Sequence, residues 1–297
     1  VLHMADRIWT HAGFTYRDDF MSILRDRYRA PLGELDFEQA PEPARATINA
    51  WVEKQTRGRI RGLLPPESID RTTRLVLTNA VYFKGSWLLP FAPGSTLEED
   101  FATPKAKVHA KMMRQLTHFG YARLDGVALV ELPYFGGSIS MVVILPEAES
   151  GLADVENRIG RDYDGWMTAF VDKKVDLWLP RWTETRTIVL NAILKALGMP
   201  LAFERSADFS GMTDVPARDP GKFYIGAVIQ KAFVDVDEFG TEAAAATANM
   251  MASPMSLRES PPEPEPVVFH ADHPFLYVIR ERKTGAVLFV GRVVDPR

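Results

Sequence analysis

With 297 residues, 46% of them hydrophobic, the chain can bury a sizeable core, as one large domain or two smaller ones. Thirty-five basic side chains are scattered among 39 acidic ones, for a net charge of −4; no basic stripe argues for nucleic acid, and no apolar run approaches the roughly 20 residues that span a bilayer. The cysteine count is zero, which excludes disulfides and thiolate chemistry and is compatible with either redox compartment.

The first residues, VLHMADRIWTHAGF, lack the charged-then-apolar pattern of a signal peptide and read as a start in mid-fold, so a fragment boundary is expected there. Met4 to Thr15 predicts a strand and turn. Asp18 and Asp19 cap a helix whose apolar stripe is Phe20, Ile23, Leu24 and Tyr28, ended by Pro31. A second helix is expected from about Pro43 to Gly58, with Ala44, Ile48, Trp51 and Val52 on one face, the spacing of a helix lying on a sheet. Leu75 to Phe83 is apolar on both faces apart from Thr78 and Asn79, which predicts a central strand covered on both sides, closed by Lys84-Gly85-Ser86-Trp87.

Residues 106–147 read as a β-meander of four strands, Val108–Arg114, His118–Arg123, Val127–Pro133 and Ile139–Leu145, with Gly136-Gly137 as a hairpin turn. Helical spacing follows at 151–171, then a strand at Val175–Trp182 and a helix at Ile188–Leu197 closed by Gly198 and Pro200. Phe223–Val236 is strand-like, and Phe275–Arg280 and Val287–Val293 flank Lys283-Thr284-Gly285 as a hairpin. Strands and helices are segregated, so the expected class is α+β with mainly antiparallel sheets, in one domain over 1–297. Glu259–Pro266, ESPPEPEP, reads as an extended, exposed connector.

No G-x-S-x-G elbow, H-E-x-x-H, G-x-G-x-x-G or P-loop is present. His270 and His273 flank Asp272, but a strand-like context puts them on opposite faces, against zinc geometry, and His273 fits better in the turn before Pro274. Glu98-Glu99-Asp100 is most simply a solvated loop. The chain does not read as an enzyme, and no cofactor is expected.

The stretch from Lys231 to Arg258, KAFVDVDEFGTEAAAATANMMASPMSLR, stands apart. It opens as a strand, with Ala232, Val234 and Val236 alternating with Phe233, Asp235 and Asp237. Glu238, Phe239 and Gly240 follow, then Thr241-Glu242-Ala243-Ala244-Ala245-Ala246-Thr247-Ala248. Alanine composition suits a helix capped by Thr241. The run also continues the strand in phase: extended, it would place Thr241, Ala243, Ala245 and Thr247 on one face, none larger than Thr, able to slide between existing strands.

VDEFGTEAAAATA resembles the hinge of the reactive-centre loop in serpins, the serine-protease-inhibitor family. LVLTNAVYFKGSW at 75–87 and HPFLYVIRERKTGAVLFVGRVVDP at 273–296 resemble two further family segments, in the family's order. The likeness covers the chain almost end to end but lacks the family's opening elements. It implies the serpin fold, a large mainly antiparallel sheet plus smaller sheets with helices and a mobile reactive-centre loop, here 238–266 with its connector.

The resemblance also implies a mechanism. A target serine protease cleaves the loop as substrate, and the freed hinge (Glu238, Gly240, Thr241, Glu242, Ala243, Ala244, Ala245, Ala246 and Thr247) inserts as an extra strand, dragging the covalently held protease along. Serpin loop insertion is itself a standard instance of strand addition and stored-strain release. The hinge's small inward residues read as inhibitory. By the family's pattern Trp87 lies under the point where the loop joins the main sheet, and Arg181 is a candidate partner for Glu238, expected as an exposed pair worth about 0–1 kcal/mol. Gln230 stands where many serpins have a His that latches the sheet, with Asn79 as its neighbour.

The usual family count from Gly240 lands on Pro254, but Pro254-Met255-Ser256 resembles a reactive site one residue further on, so the scissile bond is expected at Met255–Ser256. That suits elastase-, subtilisin- or chymotrypsin-like pockets; Leu257 and Arg258 remain alternatives, the latter implying a trypsin-like target. The expected partner is a protease and the expected state a monomer, with no nucleic acid and no membrane. The family's work favours a location outside the cell. The competing reading is a serpin-fold binding or carrier protein that never traps a protease.

Overall fold

The computed structural model describes residues 2–30, 32–213, 223–241 and 264–297. The chain divides into two compact units, one of residues 1–83 and 184–234, the other of residues 84–183 and 235–297.

The first unit begins with strand β1 (Leu2–His11), helix α1 (Asp18–Ile23), strand β2 (Leu32–Leu35), helix α2 (Pro41–Gln55) and strand β3 (Leu75–Phe83). Pro41 opens α2, where a missing N–H costs nothing. Ala44, Ile48 and Val52, four residues apart, form its buried face, while Trp51 is only partly covered. Strand β3 alternates between two cores. Val76, Ala80 and Tyr82 pack with the α2 face; Leu75 and Leu77 pack with Phe203, Phe223 and Ile225 on the other side. That explains a strand apolar on both faces.

The expected α1 stripe is not realised. At Leu24–Tyr28 the helix widens into a π-turn, which shifts Tyr28 out of the stripe's phase; of the stripe only Leu24 is buried, while Ile23, ahead of the π-turn, and Tyr28 are exposed.

In the second unit come strands β4 (Gly85–Ser86), β5 (Leu97–Ala102), β6 (Lys107–Leu124), β7 (Val127–Pro133) and β8 (Ile139–Pro146), helix α3 (Leu152–Thr168) and strand β9 (Val171–Pro180). The two strands expected at 108–114 and 118–123 are one, because β9 pairs continuously along Met112–Tyr121 while β5 and β7 share the other edge. Glu98-Glu99-Asp100 lies within β5, paired to β6, rather than in a loop.

The chain returns to the first unit through β10 (Trp182–Val189), then α4 (Asn191–Ala196) and β11 (Ile225–Asp237). The helix expected from Ile188 is thus shorter. Alternating, partly β-branched TETRTIV goes instead to a strand that pairs with β11. In this unit the strand order is β2-β1-β3-β11, with β1/β2 and β3/β11 parallel and β1/β3 antiparallel. Strands β3 and β11 are hydrogen-bonded directly, from Ile225↔Leu75 to Phe233↔Tyr82.

Strand β11 then carries the chain into the second unit, where β12 (Gly240–Thr241), β13 (Val267–His270), β14 (Phe275–Glu281) and β15 (Val287–Val293) complete it. Its sheet runs β13-β9-β6-β7-β8-β14-β15, with β5 also on β6, all antiparallel except β13/β9. Helix α3 packs Leu152, Val155 and Trp166 over β7, β8 and β14.

Candidate functional site

The site is built where β11 ends. Asp237 turns the chain, its carboxylate accepting from the backbone N–H of Phe239 (2.8 Å) and of Gly240 (3.2 Å), an Asx-type turn. The returning pair Gly240–Thr241 is antiparallel to β11, with Val236 opposite Thr241, and also pairs with Gly85–Ser86 of β4. Only glycine fits at 240: φ is +146°, and a Cβ would lie 2.1 Å from the Gly85 carbonyl oxygen.

Glu238 points inward with no exposed surface. Arg181 donates to it from Nε, at 2.8 Å, and from Nη2, and the Thr96 hydroxyl donates at 2.5 Å. The pair expected on the surface is therefore a half-buried fork, which the sequence could not reveal because Thr96 and Arg181 approach from distant elements. Burial pushes the Glu238 carboxyl up, but hydrogen bonds from Thr96 and Arg181, with the guanidinium charge, hold it below its ordinary value.

Trp87 clamps the turn from the other side. Its backbone N–H donates to the Phe239 carbonyl and its indole Nε1 to the Asp237 carbonyl, both at 2.9 Å. The indole stacks on Tyr134 with centroids 4.6 Å apart, and the Tyr134 hydroxyl meets Thr241 Oγ1 at 2.6 Å. Phe91 N–H donates to the Glu238 carbonyl. Burial drives the Tyr134 hydroxyl far above its ordinary value, so it stays protonated.

In the first unit, Gln230 and Asn79 are register partners. Gln230 donates to Asn79 (2.8 Å), and Asn79 donates in turn to Asp6 on β1.

The family profile described as Serpin (serine protease inhibitor) matches residues 1–296. The chain belongs to the serpin family. Human leukocyte elastase inhibitor is 36% identical over 309 residues, covering all of this chain and 78% of that protein. Among solved serpin structures, Serpin48 of the insect Tenebrio molitor is 34% identical with a TM-score of 0.86, covering 100% of this chain and 76% of that one. Uncleaved ovalbumin is 30% identical with a TM-score of 0.86, over 99% of this chain and 74% of that one.

On this serpin, Trp87, Arg181, Glu238, Gly240 and Thr241 come together at the turn that ends β11, while Asn79 and Gln230 form their own group with Asp6. Glu242, Ala243, Ala244, Ala245, Ala246, Thr247, Met255 and Ser256 lie outside the described residues, as do the alternatives Leu257 and Arg258. Sequence reasoning missed Asp6, Thr96, Tyr134 and Asp237. Asp237, two residues ahead of the N–H group it caps, carried a readable turn signal; the other three carried none, since they act over long sequence separations. His273 sits in the turn before β14 between Asp272 and the Pro146 carbonyl, and His270 Nε2 lies 3.0 Å from Glu99. No helix among the described residues is long and apolar enough to cross a membrane.

Proposed function

We propose that this serpin inhibits serine proteases of elastase-, subtilisin- or chymotrypsin-like specificity by covalent trapping, with Met255–Ser256 as the scissile bond. The observation that carries this reading is that Gly240–Thr241 already begins an antiparallel strand on β11 just beyond the stretch where β3 and β11 pair directly. Continued in the same register, Ala243 would meet Val234, Ala245 would meet Ala232 and Thr247 would meet Gln230.

Insertion along that line exchanges one parallel ladder for two antiparallel ones, the slightly more stable pairing. A dozen added residues at about 0.5–1.5 kcal/mol per hydrogen bond give on the order of 10 kcal/mol, as much as the stability of an ordinary domain. Small side chains on the inward positions keep the process fast relative to deacylation. The two units would then work as one serpin domain, since β11 runs from the first into the second.

Incubation with a pancreatic-type elastase and with a subtilisin tests the reading. The expected product is a complex that survives denaturing electrophoresis, with release of a peptide beginning at Ser256. Ala243→Arg should turn the inhibitor into a substrate. Cleaved chain beside fully active protease, for both enzymes, would overturn trapping of this target class; a peptide beginning elsewhere would overturn the assigned bond.

A further inference from the structure

A cavity of about 350 Å³ opens in the second unit beside Trp87. Its apolar wall includes Trp87, Leu88, Leu89, Phe170 and Val171. Its polar lining is Glu131, Arg282, His118 and Asp172, the last two 2.8 Å apart. The size and the division into an apolar body and a few convergent polar groups are those of small-molecule sites.

Charge selects the ligand. Glu131 is buried and already satisfied: Ser140 and Arg280 donate to one oxygen at 2.8 Å and Arg282 to the other at 3.2 Å. Those hydrogen bonds and charges outweigh the upward push of burial and keep the carboxyl ionised. Two guanidinium groups thus surround one carboxylate, and His118 Nδ1 meets the Asp172 carboxylate at 2.8 Å. Arg282 is 42% exposed, and among the described residues its guanidinium donates from two N–H groups, to Glu131 and to the Gly137 carbonyl. Its remaining donors suit a carboxylate.

The cavity also abuts the turn clamp. Leu88 N–H bonds to the Pro133 carbonyl on the cavity side, and the neighbouring Trp87 N–H bonds to Phe239. A ligand packed against Trp87 and Leu88 would hold the segment that grips Asp237, Glu238 and Phe239.

We propose that this cavity binds a small amphipathic organic anion, its apolar body on Trp87, Leu88 and Phe170 and its carboxylate on Arg282, and that occupancy tightens the Trp87 clamp on the start of the hinge. The site does not depend on protease trapping.

Calorimetric titration of the uncleaved chain with 4-phenylbutyrate, and with 4-phenylbutanamide as the uncharged counterpart, tests the binding. Saturable one-to-one binding of the acid is expected. The amide, or Arg282→Gln, should weaken it by about tenfold or more, the worth of a charge-assisted hydrogen bond. Val171→Trp, at an exposed rim position, should abolish it by filling the mouth; this arm decides should Arg282→Gln lose its near-UV dichroism. Saturation should slow hydrogen exchange at the Trp87 and Phe91 amides by about threefold or more, but not in Val171→Trp. No saturable heat at about millimolar acid, or equal binding of acid and amide, overturns the site; binding with unchanged exchange overturns the coupling. With no protease present, these outcomes are independent of those for trapping.

Discussion

Arg181 holds Glu238 through two N–H groups of one guanidinium, and Glu238 has no surface left to water. An exposed pair of this kind would be worth little. Here removal of the cation strands a buried carboxylate, although Thr96 continues to donate to it. Breaking a fully buried pair costs about 3–5 kcal/mol, and since Arg181 is itself partly exposed, Arg181→Ala should cost about 2–3 kcal/mol. Thermal or urea unfolding measures it. Arg181→Ala/Glu238→Gln should recover part of the loss, because the stranded charge is gone; a double variant as unstable as the sum of the singles would show that no such charge was stranded.

The same carboxylate predicts an acid limit. Glu238 is held below its ordinary 4.5, so its contribution is complete above 4.5 and disappears as pH falls from there through the depressed value. Stability measured from pH 6 downward should drop less in Glu238→Gln than in the parent over that window.

His273 works in the opposite direction. Burial alone would lower it, but Asp272 at 2.8 Å and the Pro146 carbonyl at 2.8 Å raise it above 6.5. Its stabilisation is complete below pH 6.5 and is lost as pH rises through the raised value. An NMR titration of the ring should find it still protonated at pH 6.5, and His273→Gln should flatten the alkaline decline in melting temperature.

Gly240→Ala should destabilise the second unit by at least about 2 kcal/mol, because the new Cβ would collide with the backbone of Gly85 and Ser86 rather than with a movable side chain. If unfolding were unchanged, the close approach of β12 to β4 would be wrong.

Asn79 stands between a donor and an acceptor, so Asn79→Ala orphans both Gln230 and Asp6. Gln230→Ala removes only the end of the chain. The first substitution should cost about 1–3 kcal/mol and the second less, a ranking that chemical denaturation reads directly.

Strand β3 and helix α2 were legible because their burial follows from short-range periodicity: a strand apolar on both faces and a stripe every fourth residue declare themselves locally. Helix α1 was legible only as a helix. Its π-turn changes the phase that the stripe assumed. The split of β6 into two strands failed because β9 bridges the weak centre of the pattern from outside it.

By itself, the sequence determined the family, the α+β class and the small-residue run behind Gly240, since each is written within a few consecutive residues. Only the tertiary structure decided that Glu238 is buried, that Tyr134 and Thr96 hold the turn from Asp237 to Thr241 with Trp87 and Arg181, and that Asp6 completes the Asn79–Gln230 chain. These groups meet across separations of 57 to 151 residues, where no local period reaches, and burial converts an ion pair of negligible surface value into one that the fold needs.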